Sequence, residues 1–199
     1  MALPLRKGLR RSAVLAALTV FSALGPSPGA FAAKAHEHGV ARLDIGVEAG
    51  RITLSFELPL ESLAGFERAP RTDAERAAMV AALARLEESG KLLRVDTAAG
   101  CGVAKVSLSA PVWGVGGGAA APASAASAAA AAKPVREEHA DLDARYEFRC
   151  SNTERATFVE LGLFEAFARL RRVEVQAATP RGQMKLVLKR PQTRVSLAR

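Results

Sequence analysis

Ala140-Asp141-Leu142-Asp143-Ala144-Arg145-Tyr146-Glu147-Phe148-Arg149-Cys150 alternates without a break. Ala140, Leu142, Ala144, Tyr146, Phe148 and Cys150 share one parity, and every residue between them is charged. Successive side chains of a strand point to opposite faces, so this run predicts a strand with one face on a core and the other in water. Strands of that kind belong to antiparallel sheets.

The same alternation recurs on both sides. Upstream, Leu43, Ile45 and Val47 precede the break Glu48-Ala49-Gly50-Arg51, and Ile52, Leu54, Phe56 and Leu58 resume it up to Pro59, which cannot donate to a ladder. That predicts a hairpin. Downstream, residues 173–177 and 184–188 flank Thr179-Pro180-Arg181-Gly182 and predict a second hairpin. Shorter strands are expected over residues 92–95, 103–108 and 195–197 and through Val159, Leu161 and Leu163, with short helices over residues 151–154 and 165–170 and Phe158, Phe164 and Phe167 in the core.

One substantial helix is expected, over residues 73–89. Thr72-Asp73-Ala74-Glu75 forms a capping box at its start, Met79, Val80, Leu83 and Leu86 form its apolar stripe, and Gly90 stops it. The sum is an α+β fold of antiparallel β hairpins with one substantial α-helix and short helices. Residues 114–134 are almost wholly Gly, Ala, Ser and Pro and are expected as a flexible linker interrupting a single domain over residues 36–199.

Residues 1–35 read as a secretory signal peptide: a basic start (Arg6, Lys7, Arg10, Arg11), an apolar run too short to span a bilayer, and then small residues. The chain has 28 Lys and Arg against 20 Asp and Glu. Five of the basic residues and none of the acidic ones lie in the leader, so the remainder carries only +3 and gives little reason to expect nucleic acid. Arg169, Arg171, Arg172, Arg190 and Arg194 are expected as a solvated basic face. The two cysteines, Cys101 and Cys150, suit an oxidising compartment, where they form one intramolecular bridge or remain two buried thiols. There is no C-x-x-C redox motif.

The chain has three histidines. His36 and His38 stand immediately before the first strand pattern, and in an extended backbone they would present two imidazoles on one face, roughly 7 Å apart. Their parity is opposite to that of Leu43, Ile45 and Val47, so they would point away from the core unless a bulge at Gly39 reversed them. His139 opens the long strand pattern and shares its wet face with Asp141. A metal site is therefore expected where the two strand starts meet, with His36, His38 and His139 as ligands and Asp141, Glu67 or Glu37 completing it. Three imidazoles and one oxygen suit tetrahedral zinc, and nitrogen and oxygen donors also admit copper and nickel.

The residues resemble a known family, the zinc-regulated periplasmic zinc-binding proteins called ZrgA. The resemblance rests on His36-Glu37-His38-Gly39-Val40-Ala41; Gly65-Phe66-Glu67 with Ala69-Pro70; Gly100-Cys101; His139 with Asp141, Tyr146, Phe148 and Cys150; Leu163-Phe164 with Phe167; and Thr179-Pro180 with Gly182-Gln183. It implies a periplasmic α+β protein that binds zinc through a histidine cluster and assists zinc uptake alongside an ABC importer. It also implies a disulfide between Cys101 and Cys150. This chain departs from the family pattern at two points. Its linker lacks the usual histidines and acids, and Arg68, a cation that cannot ligate zinc, stands where a histidine is usual.

Two other classes remain open at the level of sequence. A zinc-dependent hydrolytic enzyme would use an open coordination position to make a metal-bound hydroxide. A metal-free envelope interaction module would use the hairpins as a scaffold and the basic C-terminal half as its contact.

Overall fold

The computed structural model describes residues 37–116 and 140–198. The expected leader, His36, His139 and the expected linker beyond Gly116 lie outside them. The described residues belong to one compact unit, Ala35–Arg199.

The first predicted hairpin forms as β1 (Val40–Glu48) and β2 (Arg51–Pro59), paired from Arg42 opposite Glu57 to Glu48 opposite Arg51. The helical turn α1 (Leu60–Ala64) follows directly, and α2 (Asp73–Glu87) is the substantial helix. Its capping box is present in full: the Thr72 hydroxyl accepts from the Glu75 amide, and the Glu75 carboxylate accepts from the Thr72 amide. The helix is shorter than expected, because Glu88 leaves helical geometry and Ser89–Leu92 forms a separate turn, α3, with Gly90 inside it.

Val80, expected on the buried stripe, is 59% exposed, while Ala82 and Leu86 are buried and Met79 and Leu83 flank them. Ala82 and Leu86 set the inward face. Two residues are about 200° of helical rotation, which places Val80 on the opposite side from Ala82.

The remaining strands are β3 (Leu93–Val95), β4 (Cys101–Ser109), β5 (Asp141–Cys150), β6 (Phe158–Leu161), β7 (Arg172–Thr179), β8 (Gly182–Lys189) and β9 (Arg194–Ser196). Leu163, expected in a strand, instead begins the four-residue helix α4 (Leu163–Ala166). The helix expected over residues 165–170 ends there, with Phe167 extended. The 3₁₀ turn Thr153–Arg155 falls where residues 151–154 predict a helical start. Gly114 closes a second 3₁₀ turn, Pro111–Trp113, and Val115 exchanges backbone hydrogen bonds with Ala110. The first residues of the expected linker are thus part of the fold.

A six-stranded sheet runs in the order β4-β5-β2-β1-β7-β8, antiparallel except between β1 and β7. A three-stranded antiparallel sheet runs β3-β6-β9. One hydrophobic cluster joins the inner face of the large sheet (Leu43, Leu54, Leu142, Tyr146) to Val159 and Val195 of the small sheet and to Ala82 and Leu86 of α2. Tyr146 is fully buried, and its hydroxyl donates to the Leu86 carbonyl at 2.8 Å, which fastens the end of α2 to the sheet. Burial pushes this phenol up from its ordinary value.

The pairing directions sort the connections to two ends of the large sheet. At one end lie the turn between β1 and β2, the turn between β7 and β8, and Cys101 opposite Cys150, which are joined as a disulfide. At the other end β1, β5 and β7 begin and β2, β4 and β8 finish. Val40 and Asp141 therefore start at the same end with β2 between them, about 10 Å apart at the usual strand spacing. Among the described residues no helix is long and apolar enough to cross a membrane.

Candidate metal centre

The chain enters the sheet through Glu37-His38-Gly39. Gly39 has φ +78° and the Val40 amide donates to the Glu37 carbonyl at 3.0 Å, so this stretch is a turn and β1 begins only at Val40. The expectation that His36 and His38 share one face of an extended strand is thereby corrected for His38. Glycine is required on two counts: its φ, and the closeness of its neighbours. A Cβ at Gly39 would stand 2.6 Å from Arg171 Nε and 3.1 Å from the Arg169 carbonyl.

Side chains and backbone from distant segments clamp the turn. The Gly39 amide donates to Ser62 Oγ at 3.0 Å, and its carbonyl accepts from the Arg171 and Arg172 amides at 2.8 and 3.1 Å. Arg171 Nη2 donates to the His38 carbonyl at 2.5 Å, and Arg172 Nη2 to the Glu37 carboxylate at 2.7 Å. Ser62 sits in α1 and is 2% exposed. Arg190 holds the preceding loop, with Nη2 3.2 Å from each of the carbonyls of Phe167, Ala168 and Leu170. Arg171, Arg172 and Arg190 thus brace this turn and the loop before it, while the Arg169 side chain is 59% exposed, as expected of a solvated face.

The second component is the loop after α1. Gly65, left-handed at φ +93°, ends the helical turn. Phe66 packs against Trp113 with ring centroids 5.7 Å apart, and Trp113 Nε1 donates to the Arg68 carbonyl at 3.2 Å. Arg68 then donates both arms of its guanidinium to Glu75, at 2.6 and 3.0 Å. This pair, with the Arg71 amide, holds the Glu75 carboxyl down at about 2. The charge of Arg68, which on sequence grounds would repel a metal beside Glu67, is thus matched by Glu75 at the start of α2.

Glu67 lies between two fixed residues, and its Oε1 is 2.8 Å from His38 Nε2. The His38 side chain is 54% exposed and that of Glu67 28%, with the contacting Glu67 Oε1 itself buried, so the pair opens to solvent on the His38 side. Zinc bound tetrahedrally at about 2.0 to 2.1 Å would hold two such atoms roughly 3.3 Å apart. Admitting the ion asks the pair to part by about half an ångström, within the reach of the exposed His38 rotamer. An imidazole nitrogen and a carboxylate oxygen are a suitable donor set for zinc.

Asp141 lies at the start of β5, opposite Pro59 and half-buried on the outward face of the sheet. Next along that face Asp143 faces Glu57, and partial burial together with the Glu57 charge pushes its carboxyl up. Glu57 is in turn paired with Arg42 at 3.2 Å. Glu37 is held by Arg172. Among the described residues no group of three or more His, Cys, Asp and Glu side chains is arranged to hold a metal ion. His38 and Glu67 are brought together, Asp141 stands at the start of β5 at the same end of the sheet, and His36 and His139 lie outside the described residues. Ser62, Trp113 and the bracing arginines carry no periodic or motif signal that marks them as parts of a site.

No curated protein sequence matches the chain. The family described as ZrgA family zinc uptake protein matches residues 35–197, a span that takes in the His38 turn, the Glu67 loop, both cysteines and both sheets. This chain belongs to the ZrgA family of zinc uptake proteins.

Proposed function

We propose that the protein binds zinc at the His38 end of its large sheet and serves zinc acquisition in the periplasm, exported by its leader and working alongside a zinc ABC importer. The observation that carries this reading is the His38–Glu67 pair at 2.8 Å, offered from a turn and a loop that are each fixed by contacts on both sides. Preorganisation of that kind lowers the ordering cost of binding a small ion. His36 and His139 complete the imidazole set. His36 stands two residues before His38, and His139 two residues before Asp141 at the same end of the sheet.

The ion is cargo. The His38 side chain is 54% exposed and meets bulk water, whereas chemistry on a substrate is favoured by a dry, closed site. Zinc held there is held to be released. A competitive titration against a colorimetric zinc chelator tests the reading. The natural chain takes up one zinc per molecule, while His38→Ala with Glu67→Gln, or the triple change His36→Ala, His38→Ala, His139→Ala, removes that uptake. Equal uptake by all three would turn the assignment toward a metal-free interaction module.

A further inference from the structure

The arginines around the candidate site are not alike in how far they are committed. Arg68 gives both arms to Glu75, Arg172 is divided between Glu37 at 2.7 Å and Glu174 at 3.4 Å, and Arg190 is spent on three carbonyls. Arg169 and Arg171 differ. Among the described residues the nearest carboxylate to Arg169 is that of Glu61 at 3.8 Å, too long for a hydrogen bond, and the Arg169 side chain is 59% exposed. Arg171 is exposed and spends Nη2 on the His38 carbonyl, leaving most of its five donors open.

Both guanidiniums lie against the segments that carry the two ligand residues. That of Arg171 is hydrogen-bonded to His38 itself and lies over Gly39. That of Arg169 covers Gly65, two residues before Glu67, with its carbon and nitrogens 3.1 to 3.3 Å from where a Cβ would be. Two open cationic forks beside a pair of ligands for a divalent cation repel a bare ion, yet they match an anion that arrives with it. Guanidinium forks pair with carboxylates in two parallel hydrogen bonds, and this geometry favours a carboxylate over a spherical anion.

We propose that this end of the protein takes zinc as a complex with a small di- or tricarboxylate, the metal going to His38 and Glu67 and a carboxylate of the chelator to Arg169 and Arg171. The inference rests on the zinc-binding reading above and names the form in which the cargo is recognised. It gives a role to the exposure of His38, because an ion that keeps part of its chelator needs an open side, and to the incomplete pairing of Arg169.

The test is equilibrium dialysis of the full chain with radiolabelled citrate, with and without zinc, both retained species being counted. The account predicts citrate retained close to one per zinc, and only when zinc is present. In Arg169→Gln the ratio of retained citrate to retained zinc falls roughly tenfold or more, in keeping with loss of a charge-assisted pair. Reading the ratio separates this effect from a loss of zinc. Zinc retained with no citrate beside it, when both are supplied to the natural chain, would overturn the proposal and leave the zinc-binding reading standing. No retention of zinc at all would overturn both. If Arg169→Gln does not fold, Arg169→Lys keeps the charge and loses the fork, and an unchanged ratio in that variant would overturn the bidentate assignment.

Discussion

The two ends of the large sheet are built on different principles. One is closed by chain neighbours and a covalent bond: two short turns join β1 to β2 and β7 to β8, and the disulfide links Cys101 to Cys150 where they face each other. The other is assembled from segments remote in sequence, with contacts that span 23 residues (Gly39 to Ser62), 45 (Trp113 to Arg68) and 133 (Arg171 to His38). The first end secures the fold; the second exists only once the fold has formed. A substitution at the closed end should therefore act on stability, and one at the assembled end on the geometry offered to an ligand.

The largest expected effect lies at the closed end. Replacing both cysteines, Cys101→Ala with Cys150→Ala, opens a loop of 49 residues' separation and should cost about 2 to 4 kcal/mol of unfolding free energy in urea. Zinc uptake by the folded variant should stay within about twofold of the natural chain's, since neither cysteine is near the assembled end; a larger loss would show that the two ends are coupled.

At the assembled end, Ser62→Ala leaves the Gly39 amide without its acceptor in a buried place and should cost about 1 to 3 kcal/mol. Unlike the cysteine change, it should also weaken zinc binding, because the His38 turn loses one of its clamps. Unaltered zinc affinity would mean that the arginines alone position the turn.

What could be read in the sequence follows the same division. The hairpins, the alternation of residues 140–150 and the Thr72 capping box rest on neighbours within a few residues, and they appear as expected. The misjudged elements, Val80, the end of α2 and the limits of α4, are places where packing decides between local options of similar energy. The parallel pairing of β1 with β7 and the approach of Glu67 to His38 have no local signature. His38 and Glu67 were identifiable as chemically suitable, but Ser62 and the bracing arginines acquire their roles only through Gly39, whose φ and close neighbours emerge with the fold.

A smaller effect separates the loop from its support. The Glu75 carboxyl is lowered from an ordinary 4.5 to about 2, first by Arg68 and then by the Arg71 amide. A value lowered in the folded state gives stability that is complete above about pH 4.5 and is lost as the pH falls toward 2. In Arg68→Ala, melting temperature should fall less steeply across that window than in the natural chain; parallel curves would show that the pair does not act in solution.

The smallest expected effect is on the outward face. The Asp143 carboxyl is pushed up by partial burial and by Glu57, so its charged form opposes folding at neutral pH. Asp143→Asn should leave stability unchanged or slightly higher at pH 7 by thermal melting, with the advantage fading as pH falls through the carboxylate range; a loss at pH 7 would point to an undescribed role for the charge.

The central claim, that the assembled end holds zinc between His38 and Glu67, is tested most directly by anomalous diffraction at the zinc edge from crystals grown with zinc. The account predicts a peak within bonding distance of His38 Nε2 and a Glu67 carboxylate oxygen, with those two atoms moved apart from their 2.8 Å contact. A peak on the outward face between Asp141 and Asp143, or no peak with the His38–Glu67 contact intact, would contradict it.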